Sequence, residues 1–212
     1  MRYVTAEEMR GIDREAIEKR GMTSLKLMEN AGRALAEEAM RVAKAGDITA
    51  FCGYGNNGGD GFVASRHLAM EKYGVTVYVV GTGDRFSNEA EDNYYALVRM
   101  GVPILKIKEK DNLNELFRHI ERPSVVIDAI FGIGFRGGLD LFHANLIEHI
   151  NDLNAPIISA DIPSGLDADT GHPLPMAIRA YRTIAFGYPK KGFQNPAARI
   201  YTGEVVVAGI GL

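Results

Sequence analysis

The hydrophobic pattern changes character near residue 45. Before it, apolar residues recur at helical spacing. Met9, Ile12, Ala16 and Ile17 keep that period behind Thr5 and Glu8, a capping-box pair, and Gly21 ends the run as a glycine just past a helix does. A second helix is predicted from Thr23 or Ser24 to about Lys44, with Leu25, Met28, Leu35 and Ala39 on one face. That face suits either docking on the domain or a subunit interface. Beyond it, short apolar runs predict strands at about 48–52, 75–80, 103–107, 124–128, 156–160, 182–186 and 204–208. Helices are predicted between them near 60–73, 88–100, 111–121 and 140–153. Val75–Val80 and Val125–Ala129 lack polar alternation, as strands covered on both faces do. Alternating strand and helix implies a parallel sheet in a three-layer α/β sandwich behind two N-terminal helices.

Composition narrows this only a little. The chain has 212 residues, 46% of them hydrophobic and 24% charged, which fits one globular domain over 1–212. No repeat or linker divides it. A net charge of −3 argues against nucleic-acid binding by bulk charge. No apolar run reaches membrane length and Met1–Glu8 lacks a signal core, so no membrane role and a cytoplasmic location are expected. Cys52 is the only cysteine, which excludes an internal disulfide and a Cys-based zinc site; it reads as a small core residue. The five histidines show no metal-ligand spacing and read as surface or packing residues. Pro173, Pro175, Pro189 and Pro196 make the stretch 171–201 irregular, and Val205–Leu212 reads as a last strand running to the end. Such an ending fits a complete chain or one domain of a longer polypeptide.

The chemistry gathers where strands are expected to end. Gly53-Tyr-Gly-Asn-Asn-Gly-Gly-Asp-Gly61 follows the first strand, with a helix expected to open near Asp60. Glycines there let backbone amides approach a ligand, and a helix N-terminus behind them favours an anion such as phosphate. Gly132, Gly134, Gly137 and Gly138 can form a second backbone nest, with Arg136 adding a charge-assisted contact. Asp128 and Asp161 stand at strand ends, aimed into a crevice if the first, fourth and fifth strands are neighbours. Asn57, Asp128 and Ser164 offer oxygens that suit a hard or monovalent cation and not zinc.

These segments, with Leu27-Met-Glu-Asn-Ala-Gly32, Val126-Ile-Asp-Ala-Ile-Phe-Gly132, Asp161-Ile-Pro-Ser-Gly-Leu-Asp167 and Phe186-Gly-Tyr-Pro-Lys190, make the chain resemble the YjeF N-terminal domain family, the NAD(P)H-hydrate epimerases. The resemblance spans almost the whole chain. It implies a doubly wound, Rossmann-like fold that often dimerises. It also implies interconversion of the R and S forms of NADH or NADPH hydrated at C6 (NAD(P)HX), which is substrate rather than cofactor. An ADP/ATP-dependent NAD(P)HX dehydratase, separate or fused, is the implied partner, with a homodimer as the assembly. By motif, Asn56, Asn57, Gly58, Gly59, Asp60, Gly132, Ile133, Gly134, Phe135, Arg136, Gly137, Gly138 and Asp161 would bind substrate. Asn57, Asp128 and Ser164 would hold one potassium ion (K+) per subunit. The family often has Asp before the last Ile-Gly, where this chain has Gly209, a position expected to be remote from the crevice.

For the chemistry, Asp161 is the expected proton carrier and Asp128 the second catalytic carboxylate, mainly a cation ligand. Lys190 reads as a solvated surface lysine sooner than a helper charge. Two other functions are weighed. A nicotinamide-dependent oxidoreductase would use Gly53-x-Gly55-x-x-Gly58 and needs an acidic residue for the ribose; Asp84 lies late for that. A non-catalytic scaffold for dimerisation or RNA contacts would be expected to lose the Asn-Asn-Gly-Gly-Asp loop or the paired aspartates, which this chain keeps.

Overall fold

The computed structural model describes residues 1–81, 85–120, 122–135 and 137–212. Helix α1 spans Ala6–Arg20. The Thr5 hydroxyl accepts from the Glu8 amide at 3.1 Å, the Glu8 carboxylate accepts from the Thr5 amide at 2.7 Å, and Gly21 closes the helix at φ +68°. Helix α2 spans Ser24–Ala43 behind a Thr23 cap. Its buried face is Leu27, Met28, Ala31, Leu35, Ala36 and Ala39, whereas Leu25, expected on that face, is 47% exposed.

The remaining elements are β1 (Ile48–Cys52), α3 (Asn56–Met70), β2 (Val75–Val80), α4 (Asn88–Arg99), β3 (Ile104–Ile107), α5 (Leu113–Arg118), β4 (Val125–Ala129), α6 (Leu141–Asn151), β5 (Ile157–Ala160), β6 (Arg182–Phe186), α7 (Arg199–Thr202) and β7 (Glu204–Ala208). The strands form one parallel sheet in the order β3-β2-β1-β4-β5-β6-β7. Alternate strand residues feed opposite layers. Ile48, Ala50, Cys52, Ile127 and Ala129 pack under α2, α3 and α4. Phe51, Tyr78, Val80 and Val126 pack under α5 and α6. The three-layer, doubly wound prediction is correct, and β1, β4 and β5 are neighbours as the crevice requires. The chain leaves β1 toward β2 but leaves β4 toward β5, so strand order reverses between β1 and β4 and a crevice opens at their carboxyl ends.

Most element boundaries shift by one to four residues from the sequence expectation, and two differences bear on the site. Helix α3 opens at Asn56, so Asp60 lies inside it rather than at its start. Its glycines serve packing more than ligand access. A Cβ on Gly58 would stand 1.9 Å from the Gly53 carbonyl oxygen, and one on Gly61 would stand 2.6 Å from the Cys52 sulfur. Gly32 of α2 likewise lets the two helices touch, since a Cβ there would meet Val63 at 2.4 Å. The apolar face of α2 is thus used within the chain, against α3. The last strand stops at Ala208; residues 209–212 leave the sheet, where the Asn30 side-chain Nδ2 donates to the Ile210 carbonyl at 2.7 Å.

Gly58→Ala tests the packing role. Alanine raises helix propensity by up to about 1 kcal/mol, yet the clash with a backbone oxygen is expected to reverse the sign. The variant should lose about 1–3 kcal/mol in urea unfolding. A neutral or stabilised variant would show that the turn after β1 yields freely.

Candidate functional site

The crevice is a cleft of about 730 Å³ over the ends of β1 and β4. One wall is the start of α3. Its N-cap, Gly55, has extended backbone (φ −87°, ψ −171°) and no side chain to cap the first turn. The early amides, at Asn56 and Asn57, therefore face the need for an acceptor that an anion supplies. The next wall is the turn after β4, Gly132–Phe135, closed by the Phe135 amide donating to the Gly132 carbonyl at 3.1 Å. Phe131 lies 4.3 Å from Phe135 and 5.0 Å from His143, ring centre to ring centre. These rings present flat apolar faces to the cleft.

Helix α1 covers the site. Arg10, Asp13 and Ile17 line the cleft, and the Arg10 guanidinium donates to the Ile133 carbonyl at 3.3 Å. The N-terminus is fixed to the segment that follows β6. The Val4 amide donates to the Pro189 carbonyl at 3.0 Å, and the Lys191 amide donates back to Val4 at 2.7 Å. A third tie is the Ala6 amide, which donates to the Asp169 carboxylate at 2.7 Å.

That arrangement gathers carboxyls. Asp13 from α1, Asp60 from α3 and Asp161 after β5 all line the cleft. Asp161 is held by an ion pair with Lys190 and accepts from the Phe186 amide at 3.0 Å. Its φ is +63°, a left-handed backbone that costs a non-glycine residue on the order of 1 kcal/mol or more. Lys190 is fully buried and also donates to the Tyr188 carbonyl at 3.0 Å. The expectation of a solvated lysine is therefore wrong: its ammonium needs the Asp161 carboxylate as counter-charge. Burial pushes Asp60 well up, with the charges of Asp161 and Asp13 adding to it and Lys190 opposing. Burial likewise raises Asp13 to about 6, helped by Asp161 and opposed by Lys190.

Asp128 plays a different part. It is wholly buried, faces the α5–α6 layer side by side with Ser159, and lies below the cleft wall. Its carboxylate accepts from the Ser159 hydroxyl at 2.7 Å, the Ser164 amide at 2.9 Å and the Ser164 hydroxyl. Burial pushes its pKa up against the pull of those donors. The Ser164 hydroxyl in turn accepts from the Phe131 backbone amide at 2.9 Å, and the Asn57 side-chain Nδ2 donates to the Phe131 carbonyl at 3.1 Å. Asn57, Asp128, Phe131 and Ser164 thus form one oxygen-rich knot tying the three loops. No salt bridge among the described residues reaches Asp128, so a buried carboxylate has only neutral partners. A potassium ion fits such a set: all donors are oxygen, and one positive charge would offset the carboxylate.

The sequence-predicted residues divide accordingly. Asn56, Asn57, Asp60, Gly132, Ile133, Gly134, Phe135 and Asp161 line the cleft. Gly58 and Gly59 are buried in α3, and the Gly59 amide is already bonded to Gly55 at 3.1 Å. Gly137 and Gly138 are exposed beyond the cleft wall, while Arg136 and Asp84 lie outside the described residues. Asp128 and Ser164 sit beneath the wall. Cys52 is buried in the core as expected.

Sequence reasoning missed Arg10, Asp13 and His143. The first two share a helical face with Ile17, but the apolar stripe beside them carried the reading. His143, expected on the surface or in packing, lines the cleft with its Nδ1 2.8 Å from Asp140. Gly209, expected to be remote, precedes Ile210, which is buried and lines the cleft.

Two outcomes check this electrostatic picture. Lys190→Met leaves Asp161 buried without its counter-charge and should cost about 3–5 kcal/mol in urea unfolding. Asp13 has a folded pKa raised from 3.8 to about 6, so its contribution to stability is present below the lower value and is lost as pH rises through the upper one. The thermal midpoint of Asp13→Asn should therefore gain on that of wild type between those pH values. A difference that stays constant with pH would contradict it.

The chain matches the family described as YjeF-related protein N-terminus over residues 24–192. It is 41% identical over its full length to the bifunctional NAD(P)H-hydrate repair enzyme Nnr of Pyrobaculum aerophilum, covering 42% of that protein. It is 34% identical over 99% of its length to the NAD(P)H-hydrate epimerase of Rhodopirellula baltica, covering 84% of it. The chain spans about two fifths of the bifunctional relatives it matches. The crystal structure of the yeast protein ynu0 superposes with a TM-score of 0.80 at 24% identity, covering 98% of this chain and 87% of that one, and supports the fold. With 32–41% identity to curated relatives over nearly its whole length, the chain belongs to the YjeF-related protein N-terminus family.

Proposed function

We propose that this chain epimerises NAD(P)HX, interconverting the R and S forms at C6 as an isomerase of nicotinamide cofactor repair. One observation carries the reading: the cleft at the strand-order reversal joins uncapped helix amides, aromatic faces and an acid cluster in one site. The relatives named NAD(P)H-hydrate epimerase, matched over 97–99% of this chain, support the same activity.

In this reading the amides at Asn56 and Asn57 and the backbone of Gly132–Gly134 take the pyrophosphate, and Arg10 supplies a guanidinium beside them. The reduced ring lies against apolar and aromatic side chains that keep bulk water away from C6. Asp161 is the proton carrier at the C6 hydroxyl. Ring nitrogen N1 donates its lone pair as the C6–O bond breaks, giving an N1=C6 iminium, and water then adds to the other face. The charged Lys190 holds Asp161 in its strained backbone position. Asn57, Asp128, Ser164 and the Phe131 carbonyl would hold potassium, which when bound supplies positive charge beneath the loop that carries Gly132–Phe135.

The wider setting follows the relatives. We infer that the chain works in the cytoplasm as a homodimer with an ADP/ATP-dependent dehydratase that consumes the S form; the relatives named as bifunctional repair enzymes support a coupled second activity.

Separated R and S NADHX mixed with the wild-type chain should each relax toward the same mixture, in water enriched in ¹⁸O, with solvent oxygen appearing at C6 at each inversion. Retention of the original oxygen would rule out loss and re-addition of the hydroxyl. Asp161→Asn should slow relaxation about 10²–10⁴-fold. Potassium chloride should raise the thermal midpoint of wild type above that in choline chloride, and Asp128→Asn should abolish the difference. Equal midpoints in both salts would remove potassium from the site.

A further inference from the structure

Helix α1 begins outside the residues the family match covers, yet it is built into the site. Val4 and Lys190 form a parallel bridge, so the segment that carries the lysine of the Asp161 ion pair also carries the start of α1. Arg10 is bonded to the turn after β4. One turn past Arg10 on the same helix, Asp13 lines the cleft with Asp60 and Asp161.

Inversion at C6 by loss and re-addition needs protons handled on both faces of the ring. One group protonates the departing hydroxyl, and another takes a proton from the water that arrives. A single carboxylate fixed by a lysine reaches one face only. We propose that Asp13 is the second catalytic carboxyl, placed in the cleft by α1 to serve the face of C6 that Asp161 does not. This rests on the epimerase reading above.

The step balances. In one direction the Asp13 carboxylic acid gives its proton to the C6 oxygen; the C6–O bond breaks with its electron pair leaving on water, and N1 forms the iminium. Water attacks C6 from the other face and yields a proton to the Asp161 carboxylate. In the reverse direction the acid and base exchange roles, as microscopic reversibility requires. Between turnovers a proton returns through solvent. Asp13 is suited to this traffic. The groups that face it are Asp161 after β5, Lys190 after β6 and Asp60 on α3, with Arg10 on its own helix; burial and the carboxylates keep it near the neutral range, so it both gives and takes protons. Burial and the neighbouring carboxylates of Asp161 and Asp13 push Asp60 up as well.

The test is the relaxation of purified R and S NADHX by wild type, Asp13→Asn, Asp13→Glu and Glu15→Gln across pH 5–9. Asp13→Asn should lose about 10²–10⁴-fold in kcat, with KM changed by no more than about threefold, and should lack the pH-profile limb expected of wild type near pH 6. Asp13→Glu keeps the acid on a longer stem and should retain that limb at reduced kcat. Glu15→Gln, on the exposed side of α1, should match wild type, which separates acid chemistry from damage to the helix. Wild-type kcat and profile in Asp13→Asn, a loss confined to KM, or an Asp13→Glu enzyme without the limb would each overturn the proposal while leaving the epimerase reading intact. A wild-type chain inert toward both epimers would overturn the two together.

Discussion

The ion pair between Asp161 and Lys190 is the interaction on which the site depends. Removing two charges from water is costly, and in a protein interior it is offset only by good geometry and further hydrogen bonds. Here each partner gains a further hydrogen bond. Asp161 also accepts from Phe186, and Lys190 also donates to Tyr188. The pair joins the end of β5 to the segment beyond β6, and that segment bridges Val4 at the start of α1. One charge pair therefore fixes the left-handed backbone at Asp161, the tail of the sheet and the helix that roofs the cleft.

A second buried carboxylate does the corresponding work on the other side of the crevice. Asp128 holds Ser159 and Ser164 while Ser164 and Asn57 hold Phe131, so the ends of β4, β5 and the start of α3 are stitched through one polar knot. The two aspartates differ in kind. Asp161 has a cation and an open face to the cleft; Asp128 has neutral donors and none. The first arrangement suits proton transfer to a ligand, and the second suits a structural cation.

Much of this was legible in the chain. Short apolar runs without alternation placed the strands and a 3.6-residue period placed the first two helices, and the glycine, aspartate and asparagine segments marked the strand ends that converge. The reasons behind individual residues were less legible. Gly58, Gly59 and Gly61 look like ligand-facing glycines, but their small size is demanded by Gly53, Met28 and Cys52, contacts that exist only once α3 is docked. Lys190 looks solvated because its counter-charge stands far away in sequence. Asp13 is one acid among several on a charged helix, and only tertiary ties such as the Val4–Lys190 bridge and the Arg10–Ile133 bond bring this helix over the cleft. Charge pairing and burial are tertiary facts, and local periodicity carries no record of them.

The most direct measurement is a crystal structure of the chain with an NAD(P)HX epimer bound. If Asp161 and Asp13 share the proton traffic, C6 lies between their carboxyls, its hydroxyl within about 2.6–3.2 Å of one of them, and the pyrophosphate rests on the amides that open α3. An epimer bound with C6 against Phe135 and His143, away from both carboxyls, would contradict it.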